Sequence, residues 1–278
     1  MDFSYRMTMS GRTTHVKEGR LSQGSGSIWN LSYMFHDTGS SGPVCVMVPG
    51  YRSRGMRSKD NAKLTRKIIT EAGLSVLSYD YSGCDHLSKK ADPMTMGTQI
   101  KDTQRIVELI EDRAHIFIPK SSGINMALAA ANQNTKAVVA ALPIQDFYQT
   151  FSGNYAKKKH PIYKWAFNAI IGVRGVYCWK PSSSQPNIPF IKITRPYIES
   201  TENHTLDKIF NYNANRVPVT LIINSEDPIS DKITADQLKR KLGAQKYPAK
   251  VVEVEGKRHI LHDTTNTAII SAIQEFLP

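Results

Sequence analysis

Short, β-branched, apolar runs alternate with stretches of helical periodicity along most of this chain. Val44-Cys45-Val46-Met47-Val48, 74–79, 115–118 and 138–142 have strand length and no polar alternation. Continuous hydrophobicity of that kind belongs to strands covered on both faces, as in a parallel sheet. Between them lie 58–72, 95–113 and 122–132. In the first, Leu64, Ile68 and Ile69 recur at helical spacing, with Ser58 before it and Gly73 after it as end signals. The rhythm breaks after Pro143. It resumes with a strand at 217–223, a helix at 231–242, a strand at 250–254 and a helix at 265–277. Strand, helix, strand in this order predicts right-handed βαβ units, so the expected class is α/β with a doubly wound, mostly parallel sheet.

The interruptions define the expected organisation. Residues 1–27 are polar and read as an N-terminal arm. Residues 28–35 have strand character. Residues 144–216 are aromatic, proline-containing and net basic, with Lys157-Lys158-Lys159-His160 and Pro-Ser-Ser-Ser-Gln-Pro at 181–186. Beside a catalytic edge such a segment reads as a cap or lid. The core is then 28–143 together with 217–278.

Ligands of doubly wound sheets bind at the carboxyl ends of the strands. The loops 49–53, 80–88 and 119–123 all fall there. In the last, Ile116-Phe117-Ile118-Pro119 delivers Lys120-Ser121-Ser122-Gly123, and an alanine-rich helix follows. A tight small-residue turn between strand and helix is how a serine is held out at the top of a sheet. Two later strands end in Asn224-Ser225-Glu226-Asp227 and in Gly256-Lys257-Arg258-His259. A serine, an acid and a histidine at one edge are what acyl transfer needs. The imidazole takes the serine proton, and the carboxylate fixes the imidazole tautomer and stabilises its cation. The rivals are Ser122, Asp231 and His262. Gly123 two positions on favours Ser121, Asp231 falls within the next helix, and His262 lies three residues further from its strand.

The order Ser121, Asp227, His259 resembles that of the α/β-hydrolases, and more narrowly their lipase, esterase and thioesterase branch with an inserted cap. The resemblance covers about 28–143 and 217–277. Val44 to Tyr51 is similar to the family's strand and His-Gly turn, with Pro49 in place of the histidine. Asp80-x-x-Gly83-x-Asp85-x-x-Ser88 is similar to its Asp-x-x-Gly-x-Gly-x-Ser loop, with Asp85 at the second glycine. Lys120-Ser121-Ser122-Gly123 resembles the nucleophile elbow Gly-x-Ser-x-Gly, with Pro119 at the first glycine. The resemblance implies Ser121 as nucleophile, His259 as base and Asp227 as orienting acid. It also implies an oxyanion hole of two backbone N–H groups, those of Tyr51 and Ser122. Asp80 is expected to be structural and Tyr51 to line the pocket.

Composition bears on substrate and setting. An aromatic cap fits an acyl chain. Arg52 and Arg54, followed by Arg57 and Lys59, fit an anionic group beside the site. The expected activity is hydrolysis of a carboxylic ester or thioester through an acyl-enzyme. The alternatives are a thioesterase or acyltransferase specific for acyl-carrier protein or coenzyme A, and a non-catalytic hydrolase-fold binding protein. The net charge of +12 favours an acidic protein or an anionic membrane surface as partner, besides a small-molecule or carrier-bound acyl substrate. No nucleic-acid module signature is present, so no specific nucleic-acid partner is expected. Cys45, Cys84 and Cys178 form no CxxC pair, so neither a metal site nor a disulfide framework is expected, and no cofactor is implied. No apolar run approaches the roughly 20 residues of a membrane span, and residues 1–23 lack the apolar core of a secretory signal. A cytoplasmic location follows as the expectation.

Overall fold

A computed structural model describes residues 3–22, 30–51, 55–56, 58–82, 95–110, 112–144, 176–179, 190–193, 197, 200–201, 208, 216–227, 239–240, 243, 247, 249–257 and 259–277. A nine-stranded sheet carries the site. Its strands are β1 (Phe3–Met9), β2 (Arg12–Ser22), β3 (Asn30–Asp37), β4 (Val44–Val48), β5 (Val76–Asp80), β6 (His115–Pro119), β7 (Thr135–Ala141), β10 (Val219–Asn224) and β11 (Ala249–Val254). They lie in the order β1-β2-β3-β5-β4-β6-β7-β10-β11. From β5 to β11 every pairing is parallel. Within the expected cap, β8 (Val176–Trp179) and β9 (Phe190–Ile193) pair as an antiparallel ribbon; most of 144–216 lies outside the described residues.

Strand β4 shows how the sequence pattern becomes two layers. Its five residues are all buried. Val44, Val46 and Val48 face one apolar cluster, with Ile106 and Val107 of helix α2 (Met96–Glu108) and Ala127 and Leu128 of α3 (Gly123–Ala130). Cys45 and Met47 face the other, with Leu64 of α1 (Lys59–Lys67) and Ile269 and Ile273 of α4 (Asp263–Gln274). Helices on both faces explain why the run could be apolar without alternation. The chain leaves β4 through α1 to β5 on one side, then returns through α2 to β6 on the other. The connections leaving β4 and β6 therefore pass to opposite faces of the sheet, α1 to one and α3 to the other, which makes their carboxyl ends the switch point where doubly wound sheets bind ligands.

The N-terminal residues differ from the expected polar arm. Phe3–Met9 and Arg12–Ser22 form a hairpin whose second strand pairs with β3 from His15 to Ser22. Its turn places Ser10 and Gly11 at φ of 47° and 81°, the left-handed pair that a two-residue hairpin requires. Strand β1 is an edge strand and largely exposed, so no hydrophobic alternation was demanded of it. The helix expected at 58–72 is α1 followed by a π-helical turn over Ile68–Ala72, and it ends at Gly73 with φ 73°. The helix expected at 231–242 lies almost wholly outside the described residues. No helix among those described is long and apolar enough to cross a membrane.

Candidate active site

Strand β6 runs fully buried into the turn at 120–122. Lys120 N–H still donates to the Val48 carbonyl of β4, and Ser121 N–H to the Ala141 carbonyl of β7. The chain then reverses: Gly123 N–H donates back to Lys120 O at 2.9 Å. Ser121 takes φ 58°, a left-handed conformation that costs a non-glycine residue about 1–2 kcal/mol. Ser121 is partly exposed, whereas Ser122 is buried and has ordinary helical φ and ψ of −66° and −10°. Of the two serines, only Ser121 has the backbone of an elbow.

The turn after β4 closes on this elbow. A Cβ on Gly123 would stand 2.8 Å from both the Val48 and Pro49 carbonyl oxygens, and one on Gly50 would stand 3.0 Å from Ser121 Cβ. Only glycine lets these two backbones approach so closely. The Tyr51 N–H, expected to be a free oxyanion donor, is engaged: it donates to Ser122 Oγ at 2.9 Å. Behind the turn, Tyr81 OH donates to Pro49 O at 3.0 Å, and the Tyr51 and Tyr197 rings lie 4.2 Å apart. Asp80 accepts from Met56 N–H at 3.1 Å, which gives it a structural task in tying Met56 to the end of β5.

Asp227 and His259 meet. Their Oδ2 and Nδ1 are 2.6 Å apart, and the side chains are 1% and 10% exposed respectively. A pair this short and this dry favours donation from Nδ1–H to the carboxylate, which leaves Nε2 as the lone-pair nitrogen. Nε2 is buried with no hydrogen-bond partner among the described residues. Ser121 Oγ is not within hydrogen-bonding distance of it; in unliganded sites such contacts commonly tighten only with substrate bound. His262 caps α4 without a side-chain cap bond and lies beside Asp263 rather than Asp227. The rival Asp231 and the expected substrate contacts Arg52 and Arg54 lie outside the described residues, as does 83–88.

Two supporting residues carried no sequence signal. Asn224, at the end of β10, is buried; its Nδ2 donates to Ile260 O at 3.2 Å and its Oδ1 accepts from Thr265 Oγ at 2.9 Å. Gly256 packs directly on this amide, since a Cβ there would stand 2.7 Å from it. With Glu226 N–H donating to Gly256 O, the acid loop and the histidine loop become one unit. Lys120 Nζ stands 3.4 Å from Asp60 Oδ2 of α1. Burial lowers the Lys120 pKa, opposed by the fields of Asp60 and then Asp227. Lys120 thus feels carboxylates from both α1 and the loop after β10. The Cys45 thiol is raised well above its ordinary range by burial, which makes it a packing residue and no nucleophile. No group of three or more acidic, histidine or cysteine side chains suited to a metal occurs among the described residues.

No protein-family model matches the sequence, and no curated protein does. Solved structures do match. A protein from Agrobacterium vitis S4 provisionally described as a hydrolase superposes with a TM-score of 0.70 at 16% identity, over 95% of this chain and 99% of that one. Alpha/beta hydrolase domain-containing protein 10 from mouse gives 0.65 at 18% identity, over 93% and 97%. The Pyrococcus furiosus esterase Pf2001 gives 0.61 at 16% identity, over 94% and 89%. Parallel strands doubly wound by helices, a serine turn after β6 and a paired acid and histidine after β10 and β11 make this chain an α/β-hydrolase in fold.

Proposed function

We propose that the protein is a serine hydrolase that cleaves a carboxylic ester or thioester through an acyl-enzyme. One observation carries this reading: the 2.6 Å Asp227–His259 pair shares a sheet edge with a serine held at φ 58°. The turn holds Ser121 partly exposed at the carboxyl edge of the sheet, and the Asp227 contact leaves His259 Nε2 without a partner among the described residues, where it can take a proton. In the proposed step Ser121 Oγ attacks the substrate carbonyl carbon and its proton passes to His259 Nε2. Asp227 holds the imidazole and stabilises the imidazolium. The carbonyl π electrons move onto oxygen, which accepts the backbone N–H of Ser122 at the start of α3. Collapse expels the alcohol or thiol, which takes the proton from Nε2. Water then repeats the sequence on the acyl-enzyme. The likeness to an esterase supports the reaction class.

The acyl group and leaving group follow from weaker features. The aromatic 144–216 segment fits an acyl chain, and Arg52 and Arg54 fit an anionic portion of the substrate. A basic chain in the cytoplasm would draw acidic carriers or anionic membrane to that edge, with affinity that falls as salt rises. The test is hydrolysis of p-nitrophenyl esters of graded chain length, together with covalent labelling by a fluorophosphonate. Turnover that disappears in Ser121→Ala, and a label mapped to Ser121, are expected. A protein inactive on every chain length and unlabelled at Ser121 is instead a binding module.

A further inference from the structure

The hydroxyl of Ser122 has an acceptor role and an unused donor. It is fully buried, and its Oγ accepts the Tyr51 N–H at 2.9 Å. Its own O–H has no acceptor among the described residues. A buried hydroxyl normally donates as well as accepts, since an unmet donor away from water is costly. This one adjoins the proposed nucleophile. It also sits on the N–H that the oxyanion of an acyl-transfer reaction would otherwise occupy.

We propose that the Ser122 hydroxyl is itself an oxyanion donor, relaying the Tyr51 N–H to the substrate oxygen. The inference rests on the reading of Ser121 as nucleophile. In the relay, Tyr51 N–H donates to Ser122 Oγ and Ser122 Oγ–H donates to the carbonyl oxygen as it becomes negative. No bond beyond those of the acyl-transfer step forms or breaks, and the hydroxyl keeps its proton throughout. Three physical points favour the relay over displacement of the hydroxyl. A hydroxyl that accepts an N–H bond is polarised and donates more strongly. Donation to an anion is about twice as strong as donation to a neutral carbonyl, so the gain falls in the transition state rather than in substrate binding. Swinging Ser122 Oγ away would break its bond from the Tyr51 N–H and leave a buried oxygen unpaired. The pattern also gives position 122 a task that most side chains following a nucleophilic serine could not perform.

The experiment compares Ser122→Ala and Ser122→Gly with wild type on a p-nitrophenyl ester. Glycine is tolerated at the helix N-cap, so the second variant serves if alanine fails to fold. The relay predicts that kcat falls about 100-fold, as for loss of one oxyanion donor, while KM stays within about threefold. It further predicts that the inhibition constant of a trifluoromethyl ketone, which forms an oxyanion on the serine, weakens by the same factor as kcat/KM; a merely structural loss would not track it. Equal or faster turnover in both variants overturns the relay and shows that Ser122 only obstructs Tyr51. A wild type without esterase activity or Ser121 labelling overturns the nucleophile reading instead, so the two failures are distinguishable.

Discussion

Gly123→Ala tests whether the approach of α3 to the end of β4 sets both stability and rate. The added Cβ would stand 2.8 Å from Val48 O and from Pro49 O. Ordinary contact begins at 3.4 Å, so helix and strand must separate by the difference of about 0.6 Å. Both obstacles are backbone carbonyls, so no rotamer change relieves them. Overpacking of this kind costs about 1–3 kcal/mol, against a helix-propensity gain of up to about 1 kcal/mol for replacing glycine. The net expectation is a loss of about 1–2 kcal/mol and a fall in Tm of a few degrees. The shift also carries Ser121 and Ser122 away from Tyr51. A 1 Å misplacement costs about 100-fold in rate, so kcat/KM for a p-nitrophenyl ester should drop at least about 10-fold. Gly97→Ala in the first turn of α2 is the control, because its Cβ would meet only Thr95 Oγ at 3.7 Å. It should stabilise by several tenths of a kcal/mol and leave activity alone. Urea unfolding and steady-state kinetics on both variants decide the matter. If Gly123→Ala behaves like Gly97→Ala, the close approach is not what positions the elbow.

Asp227→Asn should preserve the fold by circular dichroism and lower kcat by about 10⁴-fold at constant KM, because an amide opposite Nδ1 favours the wrong tautomer; loss of only a few fold would remove Asp227 from the triad. Asn224→Ala strips partners from Thr265 Oγ and Ile260 O, and should destabilise by about 2–3 kcal/mol in urea titration while lowering kcat through misplaced His259; an intact kcat would separate the amide from the histidine loop. His115 is buried, its Nε2 2.8 Å from Thr135 Oγ, and burial lowers its pKa from 6.5 despite the opposing Arg113 carbonyl. The unfolded chain therefore binds the proton more readily, so His115's contribution to stability is complete above pH 6.5 and is lost as pH falls through the lowered folded value. Urea midpoints measured from about pH 7 to pH 5 should fall less steeply in His115→Gln; parallel slopes would assign the acid sensitivity elsewhere, His36 being the other described histidine that burial lowers.

What was legible in the chain followed from burial. Strands such as Val44–Val48, covered on both faces, had to be written as unbroken apolar runs, so their positions and the parallel class could be read. The loops after β6 and β10 were legible because each closes such a run, whereas β11, a partly exposed edge strand, offered only its short β-branched stretch. The hairpin at Phe3–Ser22 was not, since an exposed edge strand imposes no pattern on its residues. Asn224, Lys120 and the Ser122–Tyr51 contact were hidden for a different reason. Each is a long-range pairing: Tyr51 and Ser122 are 71 residues apart and Asn224 and Ile260 are 36 apart. A lone asparagine or serine in a loop carries no trace of such a partner. Only the topology, which sets β4 beside β6 and β10 beside β11, brings them together.

Proline at position 119 illustrates how the elbow is held without the glycine usual two residues before the serine. In a parallel strand successive amides face alternate neighbours. His115 N–H turns to the Asn134 carbonyl on the β7 side and Lys120 N–H to Val48 on the β4 side. Pro119 falls on the β7 side, so its missing N–H removes one rung of the β6–β7 ladder and leaves the β4 rungs intact. That rung is replaced one step on, where Ser121 N–H donates to Ala141 O at 3.0 Å and Lys120 bridges Ala141. The strained residue is then gripped again by Ile144 N–H on Ser121 O. Proline's fixed φ near −65° also narrows the unfolded ensemble at the residue leading into the turn, which offsets part of the cost of φ 58° at Ser121. In the folded state the strain is thus supported from β7 and from the close approach of Gly50 and Gly123, the positions where a side chain could not be accommodated, while Pro119 acts through the unfolded chain.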